Sequence, residues 1–192
     1  MSALDEVDRK IIGHLQRSGR ATFEELRKLV GYTSMGAKKR VDKLLNDEII
    51  KVSALLNTRS LKLFSAIILL EMESAQDTNK LLERFKNCPR VVHIFITLGG
   101  YNMIALVVAE DQDTLESISI EKCSLRSGEG IRRSEFYLIQ NIQYSPFLQV
   151  REHLTHKEKK ITPCNVDCRP CQRYISHKCV GCPATHYYKG PL

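Results

Sequence analysis

The sequence predicts an α+β protein: a winged helix-turn-helix of three helices, a ferredoxin-like βαββαβ domain, and a small metal-stabilised tail. Three observations predict it. Apolar residues recur at helical spacing over the first sixty positions, with polar caps between the runs. Between residues 61 and 150 strand-length apolar runs alternate with helical segments. Five of the seven cysteines then fall between Cys164 and Cys182. The expected divisions are the helix-turn-helix over residues 1–60, the βαββαβ domain over 61–150, a charged linker over 151–163, and a Cys-rich tail over 164–192.

In LDEVDRKIIGHLQRSG, Leu4, Val7, Ile11, Ile12 and Leu15 form a helical stripe that Gly19 stops. Thr22 with Glu25 is a capping box, opening a second helix on Phe23, Leu26, Leu29 and Val30. Gly31 ends it. Thr33 or Ser34 can cap a third helix whose buried side is Ala37, Val41, Leu44 and Leu45. The short link between helices two and three is that of a helix-turn-helix. The β-prone run IIKVSALLN, residues 49–57, reads as a wing strand.

The third helix carries the binding chemistry. Short polar or apolar groups at its start, Thr33, Ser34 and Met35, suit base edges, and the cations Lys38, Lys39, Arg40 and Lys43 suit phosphates. Charge agrees. Residues 1–60 carry 12 Lys and Arg against 8 Asp and Glu, residues 61–150 carry 9 against 11, and residues 151–192 carry 8 against 3. Basic ends around a mildly acidic middle put any polyanion, here double-stranded DNA, at the ends.

In the middle region, strands are expected over residues 64–73, 90–99, 103–110 and 132–142, with helices over 77–87 and 113–123. This is the split βαββαβ order. Two helices cover one face of a four-stranded sheet, so the other face needs a partner, most simply a second copy. The longest apolar run, MIALVVA at 103–109, is far short of the roughly 20 residues a bilayer span takes. MSALDEVDRK has no apolar signal core. A cytoplasmic protein with no membrane partner is expected, and in that compartment clustered cysteines point to metal or redox chemistry.

LDEVDRKII, GYTSMGAKKRVDKLL and IIKVSALLN, running directly into a βαββαβ domain, resemble the Lrp/AsnC (feast/famine) transcription regulators over about residues 3–145. The resemblance implies DNA-bound dimers, often assembled into tetramers or octamers, and an amino-acid effector site between dimers. The family's turn between its second and third strands is usually close to Gly-Asp-Tyr-Asp; here Gly99, Gly100, Tyr101 and Asn102 occupy it. Both carboxylates are missing, and with them the charged partner for a ligand's ammonium group. Either the effector differs or the segment is a plain hairpin turn. The siroheme decarboxylases, which are enzymes, share the architecture, with catalytic His and Arg about these strands and a Trp nearby. Here His93 stands alone in VVHIFIT and the chain has no Trp, so no enzymatic activity is expected.

The tail's spacing is C-x3-C-x2-C-x7-C-x2-C, from Cys164, Cys168, Cys171, Cys179 and Cys182. Two C-x2-C turns can enclose a tetrahedral ion, and a segment this poor in apolar mass needs such a bond to fold. Cys168, Cys171, Cys179 and Cys182 are the expected zinc ligands, with Cys164 left over as a substitute or redox-active thiol. An iron–sulfur cluster using Cys164 is the alternative. Disulfide or free thiols are the third reading, and a redox- or metal-responsive regulator using this tail is the alternative to one reading an amino acid.

Overall fold

The computed structural model describes residues 4–150 and 157–191. Two compact units make up the chain, Met1–Ala54 and Leu55–Leu192. Residues 151–156, part of the expected linker, lie outside the described residues.

In the first unit, α1 (Glu6–Arg17) is opened by Asp5, whose carboxylate accepts the Asp8 amide at 2.8 Å. The predicted capping box opens α2 (Phe23–Val30). Thr22 donates its amide to Glu25 Oε2 at 2.6 Å, and the Glu25 amide donates to Thr22 Oγ1 at 3.2 Å. Gly31, at φ 74°, closes α2 in the left-handed conformation that a Cβ would oppose. Thr33, rather than Ser34, caps α3 (Ser34–Asn46), its hydroxyl accepting the Gly36 amide at 3.0 Å. Ile11, Leu26, Ala37, Val41 and Leu44 form the core. Each large aliphatic side chain buried there contributes about 1.5–3 kcal/mol.

The expected wing strand over 49–57 does not form. The Ile49 and Ile50 amides turn back onto the Leu44 carbonyl at 2.9 and 3.2 Å. Only β1 (Leu56–Asn57) is extended in a ladder, and it pairs with β6 (Phe147–Leu148). A wing needs an antiparallel neighbour just downstream, but the chain after Asn57 turns, with the Leu63 amide on the Thr58 carbonyl at 2.8 Å. Residues 55–60 therefore belong to the second unit.

That unit holds β2 (Phe64–Met72), α4 (Ala75–Phe85), β3 (Val91–Ile96), β4 (Met103–Ala109), α5 (Gln112–Ile120) and β5 (Ile131–Ile139). The strands lie in the order β3-β4-β2-β5 and every pairing is antiparallel. This is the expected ferredoxin-like arrangement. Ala66, Ile68 and Leu70 on β2 and Met103, Ala105 and Val107 on β4 bury one face against Leu81, Phe85, Leu115 and Ile118 of the helices. On the opposite face, register aligns Tyr137, Ile67, Leu106 and His93 in one row and Glu135, Leu69, Ile104 and Phe95 in the next. The chain covers part of that face itself, where Val92, Val108 and Val150 cluster with Leu56 and Leu148. Phe95 and Tyr137 remain 54% and 53% exposed.

The tail, expected to stand apart behind its linker, instead packs onto the sheet unit. Cys164 (5% exposed) enters the sheet core, with Val166 packed against it. Arg173 Nε donates to Ser117 Oγ on α5 at 2.6 Å, and the Val180 amide donates to Thr114 Oγ1 at 3.2 Å. Tyr188 donates its hydroxyl proton to Glu110 Oε1 at 2.6 Å. The segment's few apolar groups thus serve as cover for α5 and the sheet rather than as a core of their own. One short helix, α6 (Gln172–Ile175), lies within it.

Candidate functional site

On α3 the buried side is Ala37, Val41 and Leu44. Met35, Lys39 and Lys43, four residues apart, form a stripe on the opposite side. Lys38, Lys39 and Lys43 are exposed, and Met35 is 63% exposed. The other residues expected to meet DNA are engaged within the unit. Thr33 is the helix cap, and the Ser34 hydroxyl donates to Glu24 Oε2 at 2.8 Å. Arg27 grips the same carboxylate, Nη2 to Oε1 at 2.6 Å. Hydrogen bonds from Arg27 and then Ser34 lower the Glu24 pKa to about 2.

Arg40 stands apart from the lysines. Its Nη1 lies 2.6 Å from Asp5 Oδ2 and 3.1 Å from Asp8 Oδ1, bracing α3 against the start of α1. Sequence could have hinted at this, because Arg40 falls on the flank of the helix between Leu44 of the buried side and Lys43 of the basic stripe.

The Gly99-Gly100-Tyr101-Asn102 turn joins β3 to β4. Gly99, at φ 151°, occupies backbone space that favours glycine. Asn102 mimics a strand residue: its Oδ1 accepts the Met72 amide at 2.7 Å and its Nδ2 donates to the Met72 carbonyl at 2.9 Å. Tyr101 donates its hydroxyl proton to Glu135, and Arg133 stacks 4.4 Å from the Tyr101 ring centroid. Tyr137 also donates to Glu135. Hydrogen bonds from Tyr101 and then Tyr137 hold the Glu135 carboxyl below its usual range. Thus a carboxylate absent from the turn is supplied beside it by β5, which sequence reasoning missed because Glu135 is a neighbour only through strand register. A recess of about 400 Å³, lined in part by Met72, Ser74, Thr78 and Ile96, opens beside Asn102.

The cysteines converge more than their spacing suggested. All seven are free thiols. Cys88 and Cys123 from the sheet unit and Cys164, Cys168, Cys179 and Cys182 from the tail line one cavity, with Arg90. Cys171 does not line that cavity; it lines a neighbouring recess together with Cys123, Cys168 and Cys179. Among the described residues, no group of three or more His, Cys, Asp or Glu side chains is placed so that it could hold a metal ion. Burial, then the neighbouring Cys164, pushes the Cys88 thiol up to about 11. Burial, then Cys88, pushes Cys182 up to about 12. Such thiols are protonated at neutral pH and react slowly.

Residues 4–45 match the AsnC-type helix-turn-helix domain, and residues 65–142 match the Lrp/AsnC ligand binding domain. The HTH-type transcriptional regulator YezC of Bacillus subtilis is 36% identical over 115 residues, which span 59% of this chain and 81% of that protein. The chain belongs to the Lrp/AsnC family. Its fold is also that of Escherichia coli AsnC, at TM-score 0.65 and 22% identity over 74% of this chain and 95% of that one. A Neisseria meningitidis transcriptional regulator solved as a complex with L-Met gives TM-score 0.67 and 22% identity over 74% and 94%. Within the family this chain is a transcription regulator with a DNA-binding and a ligand-binding domain. Both domain matches end before the Cys-rich tail. No helix among the described residues is long and apolar enough to cross a membrane.

Proposed function

We propose that the protein regulates transcription as a homo-oligomer that docks α3 in the major groove of double-stranded DNA. The observation that carries this is the exposed Met35–Lys39–Lys43 stripe opposite the buried side of the helix. Lys38, Lys39 and Lys43 hold phosphates, and Met35 at the first turn meets base edges. Ser34 reaches a base only by exchanging its hydrogen bond to Glu24. Arg40 acts through its brace to α1, presenting the helix rather than gripping phosphate.

Self-association is assigned to the open sheet face around Phe95 and Tyr137, whose exposed aromatic area suits a second copy. At the turn, the recess beside Asn102 is the effector site, and the L-Met complex of the Neisseria relative makes amino acids the class to test first. No chemistry is assigned to His93, whose ring lies 5.9 Å from Phe95 on that face. The protein works where its DNA is, in the cytoplasm. Selection of bound fragments from a random duplex pool with the full chain tests the reading: one enriched motif with dyad symmetry supports it, and no enrichment contradicts it.

A further inference from the structure

None of the residues assigned above to DNA or effector binding lines the cavity between the tail and the sheet unit. Its six cysteines arrive from three directions. Cys88 follows α4, Cys123 follows α5, and the remaining four come from the tail. Cys164 is buried, whereas the other cysteines are half-buried. Arg90, 6% exposed, lines the same cavity. Arg90 pairs with Glu110 on one side and donates to the Gly181 carbonyl, beside Cys182, at 2.6 Å on the other.

We propose that this cavity is a thiolate metal centre shared by the tail and the sheet unit, with Cys164 among its ligands and Cys171 outside it. This reverses the roles that spacing alone suggests for those two cysteines. Thiolate ligation is the chemistry required, and either zinc or iron with inorganic sulfide satisfies it. Each ligand releases its proton as it binds the metal, so the bound set is anionic, and Arg90, paired with Glu110, lines the wall beside it. Metal binding at this seam would fasten the tail to the sheet, because the ligands belong to both.

The full chain, purified without oxygen or chelators, is analysed for zinc, iron and acid-labile sulfide, and its thiols are alkylated before and after chelation. The expected result is metal bound to every chain. Zinc without colour or iron with sulfide identifies which metal fills the centre. Cys123 and Cys164 should resist alkylation until the metal is removed, while Cys171 is labelled throughout. Cys171→Ser should keep its metal, and Cys164→Ser should lose affinity roughly tenfold or more. Alkylation of the intact wild-type chain decides the matter even if Cys164→Ser fails to fold. A protein without metal overturns the proposal. So does one that keeps its metal with Cys123 and Cys164 reactive and Cys171 protected, since its site would lie within the tail alone.

Discussion

Arg40 Nη1 lies 2.6 Å from Asp5 Oδ2, so the most basic residue of α3 is turned toward α1 and away from the lysine stripe. The pair is partly exposed, and such pairs add little to stability. Arg40→Ala should lower the unfolding midpoint of the first unit slightly. It should change the salt dependence of DNA binding less than Lys39→Ala does. Equal slopes for the two variants would assign Arg40 to phosphate after all.

Glu24 ties α2 to α3 through Ser34, and its depressed pKa fixes the sign of a pH effect. A carboxyl lowered in the folded state stabilises above its unfolded value, and that stabilisation is lost as pH falls through the folded value. The window therefore runs from the ordinary value of 4.5 down to about 2. Acid titration of the wild type against Glu24→Gln should show a difference that narrows across this window. Parallel curves would exclude the Glu24–Ser34 link from stability.

Asn102 satisfies both the amide and the carbonyl of Met72. Asn102→Ala leaves that backbone without its partner and should cost about 1–3 kcal/mol, measured by chemical denaturation. Asn102→Asp, which restores the carboxylate usual in this family, keeps the bond from the Met72 amide but turns the second donor into a repulsive acceptor. It should destabilise as well. A neutral Asn102→Asp would mean that the turn is free to serve a ligand.

The helix boundaries were readable because caps are local: Thr22 and Glu25 sit three residues apart and do their work within one turn. The strands were readable because burial imposes a period on them. The pairing of Leu56 with Leu148 was not, since two-residue strands have no period and their partners are remote in sequence. The docking of the tail was hidden for a different reason. Cys164 reads equally as a ligand or as a small buried apolar residue, and nothing local to Cys88 or Cys123 marks them as its neighbours.

Arg90 and Glu110 are an ion pair with side chains 8% and 2% exposed. Breaking such a pair from one side costs about 3–5 kcal/mol because the other charge stays buried. Arg90→Met should therefore lower the unfolding midpoint and expose the tail to limited proteolysis, whereas Arg90→Met with Glu110→Leu should recover much of the stability. A single variant as protease-resistant as the wild type would remove Arg90 from the account of how the tail is held.

The central claim, that α3 meets DNA through its exposed lysines, is tested most directly by the salt dependence of binding in the full chain. Replacing Lys38 and Lys39 by Ala should weaken binding to every duplex. It should also reduce the slope of log K against log salt by roughly 0.9 for each phosphate that is no longer neutralised. Met35→Ala should leave that slope alone and change which duplex is preferred. A slope unchanged in the double lysine variant, with binding intact, would contradict the docking.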